Sequence, residues 1–498
     1  MASKARAILL LTGFLLASQT LAQDYNSWQQ EQQHLRTFGQ KPELGTRSLS
    51  SSRWPADNQP NNLPNNPQNR PQNNPQNNPS NNQQAQPLDF VEEVVMNSRE
   101  PTTPPPPNRP PPAFSYMDRF SGKLFQKIVM SQGQRNVVFS PFSVHSLLAL
   151  IYGASAGKTS RELQQAAEFN KGAQDVAADF ARVIKLKEQI QGADLTVATK
   201  TYYNQQLGEV NKSYDIYAQF YFNAATEPVD VQNGKDTVDR INAWVSDSTR
   251  KKITELVGPN DIDPQTQAIL VNAVYFKGRW EHEFAIMDTQ PYDFHHSDGR
   301  TSPVAMMYND DVYGLADLPA LDATALELAY KDSATSMLIL LPNQPNGLVN
   351  LERLLSRREN DLNRIAHSLR RQSVHVRLPK FQIEFEQDMT EPLRQLGIQQ
   401  MFTPSSQVIK LLNQPVRVSK ILQKAYIDVG EAGTEASAAS YAKFVPLSLP
   451  PKPKEFIANR PFVFAIRTPN SVLFMGHVEN PTPMTARNEP KADGYNRN

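Results

Sequence analysis

A chain of 498 residues has room for one large domain or several average ones, and its 51 Lys and Arg against 50 Asp and Glu leave a formal charge of +1. That balance excludes a global field for gathering nucleic acid or an anionic membrane. The sequence contains no cysteine and only 39% apolar residues, which excludes a thiol nucleophile or Cys-ligated zinc and requires a large core held by packing alone.

In chain order, the first segment reads as a secretory signal over residues 1–22. Lys4 and Arg6 form a basic start, Ile8 to Ala17 an apolar stretch too short to span a bilayer, and Thr20-Leu21-Ala22 a small-residue exit. Residues 23–112 follow as an arm rich in Asn, Gln and Pro, as in Asn61-Asn62-Leu63-Pro64-Asn65-Asn66-Pro67. Such a composition offers little apolar surface and blocks regular backbone pairing, so the arm is expected to be disordered. Pro104 to Pro107 and Pro110 to Pro112 favour extended polyproline geometry before the patterned sequence begins.

Met117, Phe120, Leu124, Phe125 and Ile128 recur at helical spacing, and Gly133 closes that helix. A second helix is predicted after the turn Ser140-Pro141, carrying Val144, Leu147, Leu148 and Ile151. Ala268 to Phe276 and Thr335 to Leu341 are nearly all apolar, as strands buried on both faces are. Val374 to Leu378 alternates with period two, and Phe462 to Val478 reads as a hairpin around Pro469-Asn470. Helices and strands without regular alternation predict one α+β domain over residues 113–483, with a short flexible tail at 484–498.

No H-E-x-x-H pair occurs among the eight histidines, and no catalytic role is expected. His295-His296 precedes Ser297-Asp298-Gly299 and reads as a turn, with no metal or other cofactor implied. Arg182, Lys185 and Lys187 read as a solvated helix face. Asn211-Lys212-Ser213 is a glycosylation sequon.

Residues 431–451 carry the strongest functional signal. From Glu431 through Gly433, Thr434, Glu435, Ala436, Ser437, Ala438 and Ala439 the side chains are almost all small, and Pro450-Pro451 ends the stretch. Composition alone predicts a long exposed loop. Extended as a strand, however, it would place Thr434, Ala436, Ala438, Ser440 and Ala442 on one face, all small enough to slide under neighbouring structure. Glu435, Tyr441 and Lys443 would fall on the other.

With these features the sequence resembles the serpin family over essentially the whole of 113–483. The likeness rests on Phe139-Ser140-Pro141-Phe142-Ser143, on the run from Val271 to Trp280, and on Leu378-Pro379-Lys380-Phe381. It continues through the hinge from Glu431 to Ala439, Asn459-Arg460-Pro461-Phe462 and Phe474-Met475-Gly476-His477-Val478. The resemblance implies the serpin fold, with three β-sheets, eight or nine helices and an exposed reactive-centre loop. The resemblance also implies a scissile bond seventeen residues on from the hinge glutamate, which, counted from Glu431, falls between Leu447 and Ser448.

The resemblance further implies that Ser140, Ser143, Asn272 and Gln423 lie beneath a sheet that opens, with Trp280 at its top. Gln423 stands where most members carry His. The implied function is suicide inhibition of an extracellular chymotrypsin-like or elastase-like serine protease. The composition of the arm resembles secreted insect haemolymph serpins, which implies a role in an immune, Toll-type protease cascade. The partner is then the protease, in a covalent complex with a natively monomeric inhibitor, and neither nucleic acid nor membrane. A non-inhibitory serpin acting as carrier, chaperone or storage protein is the alternative.

Overall fold

The computed structural model describes residues 115–188, 193–432, 452–469 and 471–483. The first helix, α1 (Ser115–Val129), buries Met117, Phe120, Leu124, Phe125 and Ile128 along one face, and Gly133 follows in the left-handed region at φ +61°. A short strand, β1 (Val137–Phe139), leads to α2 (Pro141–Ala154), whose start is set by a Ser140 cap that accepts from the Ser143 N–H and by proline at the first turn. Helix α2 is buried nearly all round, which marks it as the central helix of the core. Then come α3 (Gly157–Ala166), α4 (Ala173–Glu188), β2 (Ala193–Asn204), α5 (Lys212–Phe222), β3 (Ala225–Val229) and α6 (Gly234–Ser248).

The remaining strands are β4 (Ala268–Gly278), β5 (Gln290–His295), β6 (Thr301–Leu318), β7 (Ala323–Ala329), β8 (Ser336–Pro342), β9 (Arg370–Pro379), β10 (Phe381–Asp388), β11 (Val418–Val429), β12 (Lys454–Ile457), β13 (Phe462–Thr468) and β14 (Ser471–Val478). Three short helices, α7 (Leu348–Leu355), α8 (Leu362–Ser368) and α9 (Thr390–Gln395), bring the number among the described residues to nine. The strands join into a five-stranded sheet, ordered β10-β11-β4-β2-β3, and a nine-stranded one, ordered β1-β14-β13-β8-β7-β6-β9-β12 with β5 also on β6. The 18-residue β6 pairs with β5 at its start, β9 along its middle and β7 at its end. One long strand thereby joins β5, β9 and β7 into a single sheet, so the described strands form two hydrogen-bonded sheets where the family resemblance implies three.

Burial follows the chemistry of each strand. Strand β4 is buried at every position but Lys277, and β8 throughout, as continuous apolar runs require. In β9 only the alternate residues Val374, Val376 and Leu378 are buried before Pro379. The hairpin of β13 and β14 pairs Phe462 with Val478 and Thr468 with Ser471. Among the described residues no helix is long and apolar enough to cross a membrane.

Candidate functional site

The middle of the five-stranded sheet is a parallel pair. Strand β11 runs beside β4 in unbroken register from Lys420 opposite Ile269 to Ile427 opposite Phe276, after a one-residue irregularity that follows Val418. Gln423 and Asn272 stand directly across from each other in that register, and both are buried above the capped start of α2. The Gln423 amide nitrogen donates to Asn272 Oδ1 at 2.8 Å and to Ser143 Oγ at 2.9 Å, while its oxygen accepts from the Ser140 N–H at 2.8 Å. Ser143 Oγ donates to Asn272 Oδ1 at 2.6 Å, and Asn272 Nδ2 donates to Thr199 Oγ1 on β2 at 2.9 Å.

A glutamine suits this place because one side chain both donates and accepts, so each buried polar atom of the cluster finds a partner. Removing any one member would leave buried groups unpaired at about 1–3 kcal/mol each. None of these side chains ionises in the range over which proteins fold, so the cluster itself carries no pH response. The structure thus brings Ser140, Ser143, Asn272 and Gln423 into one network that ties the parallel pair to the helix below.

A second constellation sits where β11 ends. Trp280, buried and stacked on Tyr330 with centroids 4.6 Å apart, donates from its indole nitrogen to the Gly430 carbonyl at 2.9 Å. The Phe284 N–H donates to the Glu431 carbonyl at 2.9 Å, and the Trp280 N–H reaches the Ala432 carbonyl at 3.4 Å. The Glu431 carboxylate accepts from Lys380 Nζ at 2.7 Å and from Thr289 Oγ1 at 2.9 Å. Burial pushes the Glu431 carboxyl up, but Lys380, the backbone N–H of Glu431 itself and Thr289 together outweigh it and hold the group below its ordinary range. Neighbouring Asp428 is raised, chiefly by burial. A cavity of about 290 Å³ opens between these groups.

The sequence resemblance puts Glu431 in the hinge, whereas its partners Lys380 and Thr289 come from 51 and 142 residues away and were not expected. Gly433, Thr434, Glu435, Ala436, Ser437, Ala438 and Ala439, together with Leu447 and Ser448, lie outside the described residues. Asn211 caps α5, its Oδ1 accepting from the Ser213 N–H at 3.0 Å and its Nδ2 donating to Asn413 Oδ1 at 3.2 Å. His295 and His296 hydrogen-bond Thr301 and Ser302 within their own turn.

Residues 115–481 match the family model for Serpin (serine protease inhibitor). The chain belongs to the serpin family. Alaserpin of Manduca sexta is 35% identical over 369 residues, covering 73% of this serpin and 93% of that protein. Antichymotrypsin-2 of Bombyx mori is 31% identical over 361 residues, covering 72% and 96%. Among solved structures, Serpin48 of Tenebrio molitor superposes with a TM-score of 0.67 at 31% identity, over 74% of this serpin and 98% of that chain. In this serpin the Gln423 cluster and the Glu431 anchor therefore belong to a protease-inhibitor scaffold rather than to a catalytic centre.

Proposed function

We propose that this serpin is a secreted inhibitor that offers the Leu447–Ser448 bond to a chymotrypsin-like or elastase-like serine protease and traps the enzyme as a covalent acyl-enzyme. The observation that carries the reading is the parallel neighbourhood of β4 and β11. Residues 433–442 follow directly from β11, so a strand formed by them after a turn would run antiparallel to both neighbours. It would replace one parallel ladder with two antiparallel ones, which are slightly more stable per residue. At a net ~0.5–1.5 kcal/mol per backbone hydrogen bond, about fifteen inserted residues would release on the order of 10–20 kcal/mol. The small inward side chains of Thr434, Ala436, Ala438, Ser440 and Ala442 keep the steric cost of entry low.

The chemistry begins as with any substrate. The protease serine attacks the Leu447 carbonyl, the amine of Ser448 leaves, and an ester links the enzyme to Leu447. Insertion then drags the tethered enzyme and distorts its active site. Loss of one oxyanion-hole donor alone slows acyl chemistry about 10²–10³-fold, enough to stall hydrolysis of the ester. Insertion must part Gln423 from Asn272, so the buried network is the resistance to be overcome, and the Glu431 anchor marks where the moving segment begins. Antichymotrypsin-2 is named for a chymotrypsin target, and Leu447 would present the same class of apolar side chain. Leader 1–22, arm 23–112, inhibitory domain 113–483 and tail 484–498 complete the reading, with the monomer acting outside the cell to restrain a protease cascade of the Toll type.

The test is incubation with chymotrypsin, elastase and trypsin followed by a denaturing gel. A band of summed mass with the first two, resistant to boiling, is the expected result. Cleavage without any such band would favour the carrier or storage reading.

A further inference from the structure

We propose that the C-terminal tail, led by Met484 and Arg487, docks in the cavity beside the Glu431 anchor and restrains the opening of the sheet. The restraint, unlike the docking, rests on the inhibitory reading. The cavity of about 290 Å³ is walled from both sides of the gap that insertion would open. Ile286 and Thr289 come from the turn after β4, whereas Asp428 and Val429 end β11, and Lys380 and Phe381 join β9 to β10. A segment seated between those walls holds them together and has to be displaced before β4 and β11 part.

The chain itself leads to this place. Thr482 lines the cavity and its N–H donates to the Lys380 carbonyl at 3.0 Å, while Pro483 bridges to Val304, beside Ala305 of the cavity wall. Residues 484–498 lie outside the described residues. At about 3.3–3.6 Å per residue of extended chain, Met484 follows Thr482 within ~7 Å and Arg487 within ~18 Å, so the cavity lies within reach of both. Tail and cavity belong to one chain, and a short linker gives an effective concentration on the order of millimolar, so a weak contact is enough to keep the site filled.

The cavity matches those two side chains. Lys380 Nζ is taken up by Glu431 at 2.7 Å, whereas among the described residues no hydrogen bond or ion pair engages the Asp428 carboxylate. Burial raises that carboxyl even though Lys380, Lys252 and Lys277 act on it from a distance, so a guanidinium placed against it meets an unmatched acid. Arg487 is the first charged residue after Pro483, and its fork offers a carboxylate two hydrogen bonds at once. Ile286, 52% exposed on the rim, and its neighbour Met287, 85% exposed, form an apolar shelf for the adaptable side chain of Met484.

Hydrogen exchange and heat-induced polymerisation are measured on the full chain and on its D428N, R487Q and D428N/R487Q variants. Exchange at the amides of Ile286 to Thr289 and of Asp428 to Glu431 should be several-fold slower in wild type than in R487Q. Each single variant should polymerise several-fold faster than wild type, and the double variant no faster than the quicker single one, because both substitutions break one contact. Equal exchange in wild type and R487Q, or effects that multiply in the double variant, would overturn the docking. So would protection that grows with protein concentration, which would put a second copy in the cavity. The restraint and the inhibitory reading fail separately. Protection that depends on Arg487, with polymerisation unchanged and protease still trapped, would overturn the restraint and leave the docking in place. Protection that depends on Arg487 with no protease trapped by any of the four chains would uphold the docking and overturn the inhibitory reading instead.

Discussion

At the scale of single residues, the buried ring of His145 contributes to the response of this serpin to acid. His145 is caged by Phe120 and Phe169 stacked on its ring, with Tyr116 and Phe180 edge-on, and one ring nitrogen meets the Ala167 carbonyl at 2.8 Å. Burial lowers its pKa to about 3, although the Ala167 contact and nearby Glu168 work the other way. The unfolded chain therefore takes up a proton from about pH 6.5 downward that the folded protein refuses until about pH 3. Stability falls across that window as pH drops. His145→Phe should cost no more than about 1–3 kcal/mol at pH 7, through the orphaned carbonyl, and its melting temperature should gain on wild type as pH falls to 4.5. A constant difference at both pH values would show that His145 is not held neutral. Gln423 is the converse case, an uncharged residue at the hub of the opening sheet. In Gln423→His the imidazole would be buried without a carboxylate partner, so protonation would favour the opened sheet. The variant's rate of heat-induced polymerisation relative to wild type should rise several-fold from pH 7.5 to 5.5. An unchanged ratio would mean that the cluster does not limit opening.

At the scale of elements, the register of the loop is open to test. Thr434→Arg should leave cleavage after Leu447 intact while abolishing the covalent complex, because the inserted strand would have to bury a cation at several kcal/mol as insertion starts. Undiminished complex yield would mean that position 434 faces outward. The elements themselves were largely legible in the sequence. The helical spacing from Met117 to Ile128 and the unbroken apolar run of β4 each state their period within a few residues, and local patterning decides them. The contacts that make a site of them were not legible in the same way. Gln423 meets Ser140 from 283 residues away, and Lys380 meets Glu431 from 51. Only the family likeness grouped the first pair, and nothing local marked the second.

At the scale of the whole molecule, the proposed mechanism makes the native form a kinetic trap whose sheet is one strand short of its most stable state. The arm is expected to take no part in this. Removing residues 23–112 should leave the association rate with chymotrypsin within a few-fold of the full chain, and a loss beyond about tenfold, or ~1.4 kcal/mol, would place the arm in contact with the loop or the enzyme. The central claim is tested most directly by the melting temperature before and after cleavage at Leu447–Ser448. Nicking a surface loop ordinarily lowers or leaves unchanged the stability of a folded protein. Here the freed segment is predicted to enter between β4 and β11 and complete the ladder, so the cleaved protein should melt tens of degrees above the intact one, on the order of what 10–20 kcal/mol provides. Equal melting temperatures for the two forms would contradict the account.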